Sequence, residues 1–106
     1  MAVRITRIWH GWTTPEHADA YERLLRQEIL PAILARGIEG LEGIELLRRR
    51  MPGEIEFVTV MRFASLRAVR AFAGEDYEMA VVPAKARTLL QRCDERAQHY
   101  EVREST

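Results

Sequence analysis

The run Val3-Arg4-Ile5-Thr6-Arg7-Ile8 alternates apolar and polar positions and leads into Trp9-His10-Gly11-Trp12, which predicts a first strand over residues 3–12. The period then changes. Ala18, Tyr21, Leu25, Ile29 and Ile33 recur at steps of three and four, the spacing of one helical face, with Glu22, Arg23, Arg26 and Gln27 opposite. Thr14-Pro15-Glu16 reads as the helix start: Thr14 can cap, Pro15 suits the first helical position and Glu16 complements the dipole. Pro31 lacks an N–H and its ring meets the Gln27 carbonyl, so a kink or break is expected there. Gly37 and Gly40 close the segment.

Strand-like stretches over 43–50 and 55–63 flank Met51-Pro52-Gly53-Glu54, a turn signal, and predict an antiparallel hairpin. Ile55, Phe57, Thr59, Met61 and Phe63 share one face of the second of these strands. Val58 and Val60 make the other face apolar too, so cover on both sides is expected. Ser65 caps a helix carrying Leu66, Val69 and Phe72 and ending at Gly74. A further helical piece is expected from Asp76 through Tyr77, Met79, Ala80 and Val82, broken at Pro83 and continued by Ala86, Leu89 and Leu90, with Cys93 near its end. A last strand falls at 97–103, with Gln98, Tyr100 and Val102 on one side and His99 and Glu101 on the other.

The order β-α-β-β-α-β is that of an α+β, ferredoxin-like protomer: one domain over residues 1–106, an antiparallel sheet with helices on one face. Ile5, Ile44, Leu46, Val58, Val60 and Val102 supply more apolar strand positions than one helix layer can hide. A homodimer joined through the sheet face is therefore expected.

Composition narrows the partners. The chain is 47% hydrophobic and 30% charged, with sixteen basic and sixteen acidic residues, so no charge footprint points to nucleic acid or an anionic membrane. Arg48-Arg49-Arg50 reads as a solvated strand end. No apolar run reaches a membrane span or a leader's apolar region, and the lone Cys93 has no disulfide partner, so cytoplasm is the expected compartment. No Cys pair or His-x-x-x-His spacing suggests a metal, and no glycine-rich phosphate loop follows a strand; neither metal nor cofactor is expected.

Ile5-x-Arg7-Ile8-Trp9-His10-Gly11, then Ala71-Phe72-Ala73-Gly74-Glu75-Asp76, then His99-Tyr100-Glu101-Val102, resemble the antibiotic-biosynthesis-monooxygenase-like domains of the dimeric α/β-barrel superfamily. The resemblance covers nearly the whole chain. It implies dimers built sheet against sheet and a pocket between the sheet and helices of each protomer. Members of that group include cofactor-free monooxygenases of polycyclic quinols, haem-degrading enzymes and many without an assigned reaction. The haem-degrading members resemble one another in a strand-one asparagine, a strand-three tryptophan and a helix histidine. This chain has no asparagine, places Phe63 near the tryptophan position, has Val82 about where the histidine would stand, and carries no histidine over 77–90, which disfavours haem degradation.

A cofactor-free oxygenase must hold a flat aromatic, favour its ionised form and exclude water. Trp9, Trp12, Phe63, Phe72 and Tyr77 are candidate walls for a small aromatic molecule; His10, and less strongly His99, are candidate proton acceptors; Arg7 or Arg62 could stabilise the anion. Each has a plainer role as core, rim or surface. Alternation moreover puts Trp9 and Trp12 on opposite faces unless Gly11 carries a bulge. Two functions follow: a cofactor-independent monooxygenase of quinol-like or polycyclic aromatics, or a non-catalytic small-molecule-binding or stress-response module of the same fold.

Overall fold

A computed structural model describes residues 2–106. Strand β1 (Ile5–Thr13) is followed by α1 (Pro15–Leu24), a π-helical turn (Leu25–Ile29) and α2 (Leu30–Ala35). The hairpin β2 (Leu41–Met51) and β3 (Glu54–Phe63) follows, then α3 (Leu66–Ala73), α4 (Ala84–Leu89), β4 (Arg92–Cys93) and β5 (Gln98–Glu101). The strands lie in the order β2-β3-β1, all antiparallel, with β4 and β5 sharing the far edge of β1. This is the ferredoxin-like α+β arrangement expected from the hydrophobic pattern.

Local chemistry explains most of the elements. The Ser65 hydroxyl accepts from the Ala68 N–H at 3.2 Å and starts α3, which stops at Gly74 with φ 93°. Gly53, at φ 74°, closes the hairpin behind Pro52. Pro31 acts one turn earlier than its own position: the preceding turn widens to a π turn, which relieves the clash with the Gln27 carbonyl. Thr14 does not cap α1 through its side chain; it only takes the extended conformation before Pro15.

Two expectations are overturned. Residues 76–80 are not helical: Met79 bridges to Arg96, the Ala80 N–H donates to the Glu95 carbonyl (3.0 Å) and the Ala97 N–H to the Glu78 carbonyl (2.6 Å). The backbone finds its partners across the sheet edge, and Pro83 disfavours helix at Val82. Cys93 is in β4 opposite Gly11, not at a helix end. The last strand is accordingly broken, its register against β1 slipping by two residues between Cys93 and Gln98.

Direct pairing fixes the faces. Ile5, Arg7, Trp9, Gly11 and Thr13 of β1 lie opposite Phe63, Met61, Thr59, Phe57 and Ile55 of β3, on the helix side. Ile5, Met61, Phe63, Ala68, Val69 and Phe72 form one core cluster; Ala18, Tyr21, Leu25, Ile55, Phe57 and Ala86 form the other. Ile44 and Leu46 pack against these clusters, so they and Ile5 belong to the helix side, not to a surplus needing outside cover. The open face is instead built on Ile8, Leu47, Val58, Val60 and Tyr100, with Thr6, His10 and Trp12 in the same rows.

Candidate functional site

β1 runs through the middle of the sheet, and its two faces carry two separate groups of candidate residues. Its register with β3 is unbroken from Ile5 to Thr13, so Gly11 holds no bulge and Trp9 and Trp12 face opposite ways. Gly11 has another task. A Cβ there would stand 2.9 Å from the Leu90 side chain and 3.0 Å from the Trp9 ring, so the missing side chain is the bed on which the Trp9 indole lies.

On the helix side, Trp9, Tyr21, Met61, Phe72, Val81 and Val82 wall a small pocket with a cavity volume of about 60 Å³. Its one charged wall is Arg7, only 4% exposed. Among the described residues no carboxylate pairs with this guanidinium. Its contacts are neutral: Nε donates to His99 Nε2 (3.3 Å), one terminal nitrogen donates to the Met79 carbonyl (3.3 Å), and the Phe72 ring lies 5.1 Å away. Burial lowers the Arg7 pKa to about 10, so the cation persists at neutral pH. The strand-to-loop pairing of residues 78–80 is what brings the Met79 carbonyl to it.

His99 is the partner of Arg7 rather than a free base. Because its Nε2 accepts from Arg7, its Nδ1 carries the proton, and that nitrogen is buried without a hydrogen bond. Burial first, and the Arg7 charge second, push the His99 pKa below its ordinary 6.5. Tyr77 meets the imidazole edge-on at 5.1 Å and so stands behind the site, not in it. Tyr21 is a neutral wall: burial, then the nearby Cys93, raises its phenol pKa. Phe63 is wholly buried against Phe72, ring centroids 5.9 Å apart, and is core.

The open face holds the other group. Asp94 Oδ2 lies 2.6 Å from His10 Nδ1 and accepts the His10 backbone N–H (3.0 Å) and a Gln98 amide N–H (3.3 Å). The carboxylate fixes the His10 tautomer and leaves Nε2 as the acceptor. Trp12 stacks on His10 at 5.9 Å, and the Arg92 guanidinium lies 3.9 Å over the indole on its way to a two-point contact with Glu54. Arg62 is also on this face, paired with Glu45. Of the candidates, then, the structure gathers Arg7, Trp9 and Phe72 at the pocket with His99 and Tyr77 behind them, and removes His10, Trp12 and Arg62 to the other side.

Asp94 was invisible to pattern reading. It sits in the irregular stretch between β4 and β5, and its carbonyl also accepts the Trp9 Nε1–H at 2.9 Å. Only the pairing of the last strand against β1 reveals that one residue anchors both Trp9 and His10. Among the described residues no three His, Cys, Asp or Glu side chains converge as metal ligands would.

No family model matches the sequence, and no curated protein matches it. Solved structures do match. A candidate antibiotic biosynthesis monooxygenase from Bacillus cereus superposes with a TM-score of 0.64 at 16% identity, over 99% of this chain and 98% of that one. The chain has the antibiotic biosynthesis monooxygenase-like fold. A haem-degrading protein from Mycobacterium tuberculosis, in its haem-free form, shares the fold at TM-score 0.58 and 21% identity, over 100% and 98% of the two chains. A NIPSNAP family protein from Agrobacterium tumefaciens does so at 0.62 and 15%, over 95% and 87%. Proteins of different description thus share this fold, and it decides no reaction. No helix of the described residues is long and apolar enough to cross a membrane.

Proposed function

We propose that the chain binds a small aromatic molecule as its anion in the pocket beside Arg7, and acts on it as a cofactor-independent monooxygenase. One observation carries the reading: a buried guanidinium without a carboxylate faces an apolar pocket walled by Trp9 and Phe72. A buried charge is costly unless paired, and an ionised phenol or quinol supplies the missing partner. Arg7 then favours the electron-rich phenolate, the form that can pass an electron to oxygen. The overall change balances with oxygen as the only oxidant. A phenol and O2 give a quinone and water; one oxygen atom enters the ring, the other leaves as water, and the four electrons come from the substrate.

Oxygen uptake with a panel of phenols and hydroquinones tests this. Turnover that falls at least tenfold in Arg7→Gln and is unchanged in His10→Ala and Trp12→Ala supports the assignment; turnover unaffected by Arg7→Gln removes it.

A second reading, a non-catalytic binding module, is favoured by a separate observation. The pocket lacks a free proton acceptor, since His99 Nε2 is occupied by Arg7 and His10 lies across the sheet. Tight, Arg7-dependent binding with no oxygen consumed by any member of the panel would select it. Under either reading we propose a homodimer through the open face, where Leu47 and Tyr100 are 48% and 54% exposed beside Ile8, Val58 and Val60. Sedimentation showing a dimer that Val60→Glu splits supports it, and a monomer at micromolar concentration refutes it.

A further inference from the structure

The Arg7 pocket has a neighbour across some of its own walls. Ile29, Ile33, Phe72, Val81 and Pro83 also line a second, outer groove between the π turn and α2 on one side and the start of α4 on the other. By the same measure the groove offers about 430 Å³ against about 60 Å³ inside. The two volumes share these walls, and they are unlike. The inner one ends on a buried cation. The outer one is lined by Leu24, Ile29, Ala32 and Ala84, and its charged groups are Arg36 and the pair Glu28 and Lys85, 3.1 Å apart. The Phe72 ring lines both, with Arg7 5.1 Å from its centroid and Arg36 at 5.4 Å.

This shape selects a kind of ligand. A fused polycycle is rigid and flat and needs its full width beside Arg7, where the space is the smaller of the two. A single ring on a flexible apolar arm meets both volumes at once. From these shared walls, and resting on the Arg7 reading above, we infer that the ligand is a one-ring phenol or quinol bearing an apolar chain. The ionised oxygen faces Arg7, the ring lies against Trp9 and Phe72, and the chain passes Val81 into the groove. Ala32 and Ala84 are the specificity positions: they line the groove alone, both are exposed, and a larger or charged side chain at either shortens the chain that can be held.

Two probe sets separate the parts of this proposal. Para-nitrophenol reports its own ionisation by its colour. The wild-type chain should bind it as the phenolate, and Arg7→Gln should weaken binding at least tenfold. A para-alkylphenol series from ethyl to octyl, followed by quenching of Trp9, reads the groove. Each methylene that enters should tighten Kd about three- to fourfold until the groove is full. Ala32→Glu should flatten the series at the longer members while leaving para-nitrophenol unchanged. An Arg7-dependent nitrophenol site with a flat alkyl series overturns the chain inference and leaves the Arg7 pocket standing. A steep series that Ala32→Glu does not blunt also overturns it, because the chain then lies elsewhere. Nitrophenol binding that ignores Arg7→Gln overturns the Arg7 pocket itself.

Discussion

The two faces of β1 treat charge in opposite ways. On the open face the arginines have acidic neighbours, Arg62 with Glu45, Arg49 with Glu56 and Arg92 with Glu54, and Asp94 is hydrogen-bonded to His10. These pairs are wholly or partly exposed, and pairing there costs and yields little. On the helix face, three residues from His10 along the same strand, Arg7 is buried with only a neutral imidazole, a carbonyl and a ring for company. Folding selects against such a cation unless something else retains it. The contrast separates a face whose charges are paired from an interior whose one buried cation is not.

The largest expected difference between the faces is in packing. Phe63 is fully buried between β3 and α3, and Phe63→Ala should cost about 3–5 kcal/mol. Leu47, on the open face, is 48% exposed, and Leu47→Ala should stay within about 0.5 kcal/mol in a monomer. Urea unfolding measures both. A Leu47→Ala penalty that grows with protein concentration would show the open face covered by a second copy; equal penalties at any concentration would break the comparison. Next in size is Gly11→Val. Its branched side chain has no room between Leu90 and the Trp9 ring, so a loss of about 1–3 kcal/mol is expected, with a changed Trp9 emission as the indole leaves its bed. Unchanged emission would mean that Trp9 is not held by Gly11.

How much of this was legible in the chain differs between the same two faces. Period-two alternation is a property of β1 alone, so the split between Trp9 and Trp12, and the placing of His10 with Ile8, could be read from spacing. The β-α-β-β-α-β order followed from Pro52-Gly53, Ser65 and Gly74, each acting on its nearest neighbours. What could not be read was everything made by the broken last strand. Residues 76–82 carry a helical spacing of apolar groups, yet the Ala80 N–H donates to the Glu95 carbonyl and the Glu78 carbonyl accepts from the Ala97 N–H, partners more than ten residues away. That long-range pairing places the Met79 carbonyl on Arg7, sets His99 opposite Arg7, and brings Asp94 to both Trp9 and His10. Arg7 was recognisable as a possible anion partner; that no carboxylate pairs with it among the described residues was not.

That isolation gives the third prediction, of opposite sign to the first two. Arg7→Met keeps an unbranched apolar stem and removes an unpaired buried cation, so the chain should gain about 1 kcal/mol while losing anion binding. A gain in stability joined to a loss of binding is the mark of a residue kept for function. A loss of several kcal/mol would instead make Arg7 a structural anchor of the 78–80 segment, and the comparison of the two faces would lose its point.

The smallest effect expected is a slope in pH. Burial and the Arg7 charge hold the His99 pKa in the folded chain below its ordinary 6.5. Between that lowered value and 6.5 the unfolded chain binds more protons than the folded one, so acid favours unfolding in this window. The stability that His99 contributes as a neutral acceptor is therefore complete above 6.5, declines as pH falls through 6.5, and levels off below the folded value. His99→Gln, which keeps an acceptor for Arg7 without a titrating ring, should flatten this part of the Tm-against-pH curve. A bound phenolate should reduce the slope as well: it offsets the Arg7 charge that helps hold the histidine neutral, and so raises the His99 pKa toward the ordinary value. A slope that is the same with and without para-nitrophenol would place the bound anion away from Arg7, and with it the empty charge balance on which the contrast between the two faces rests.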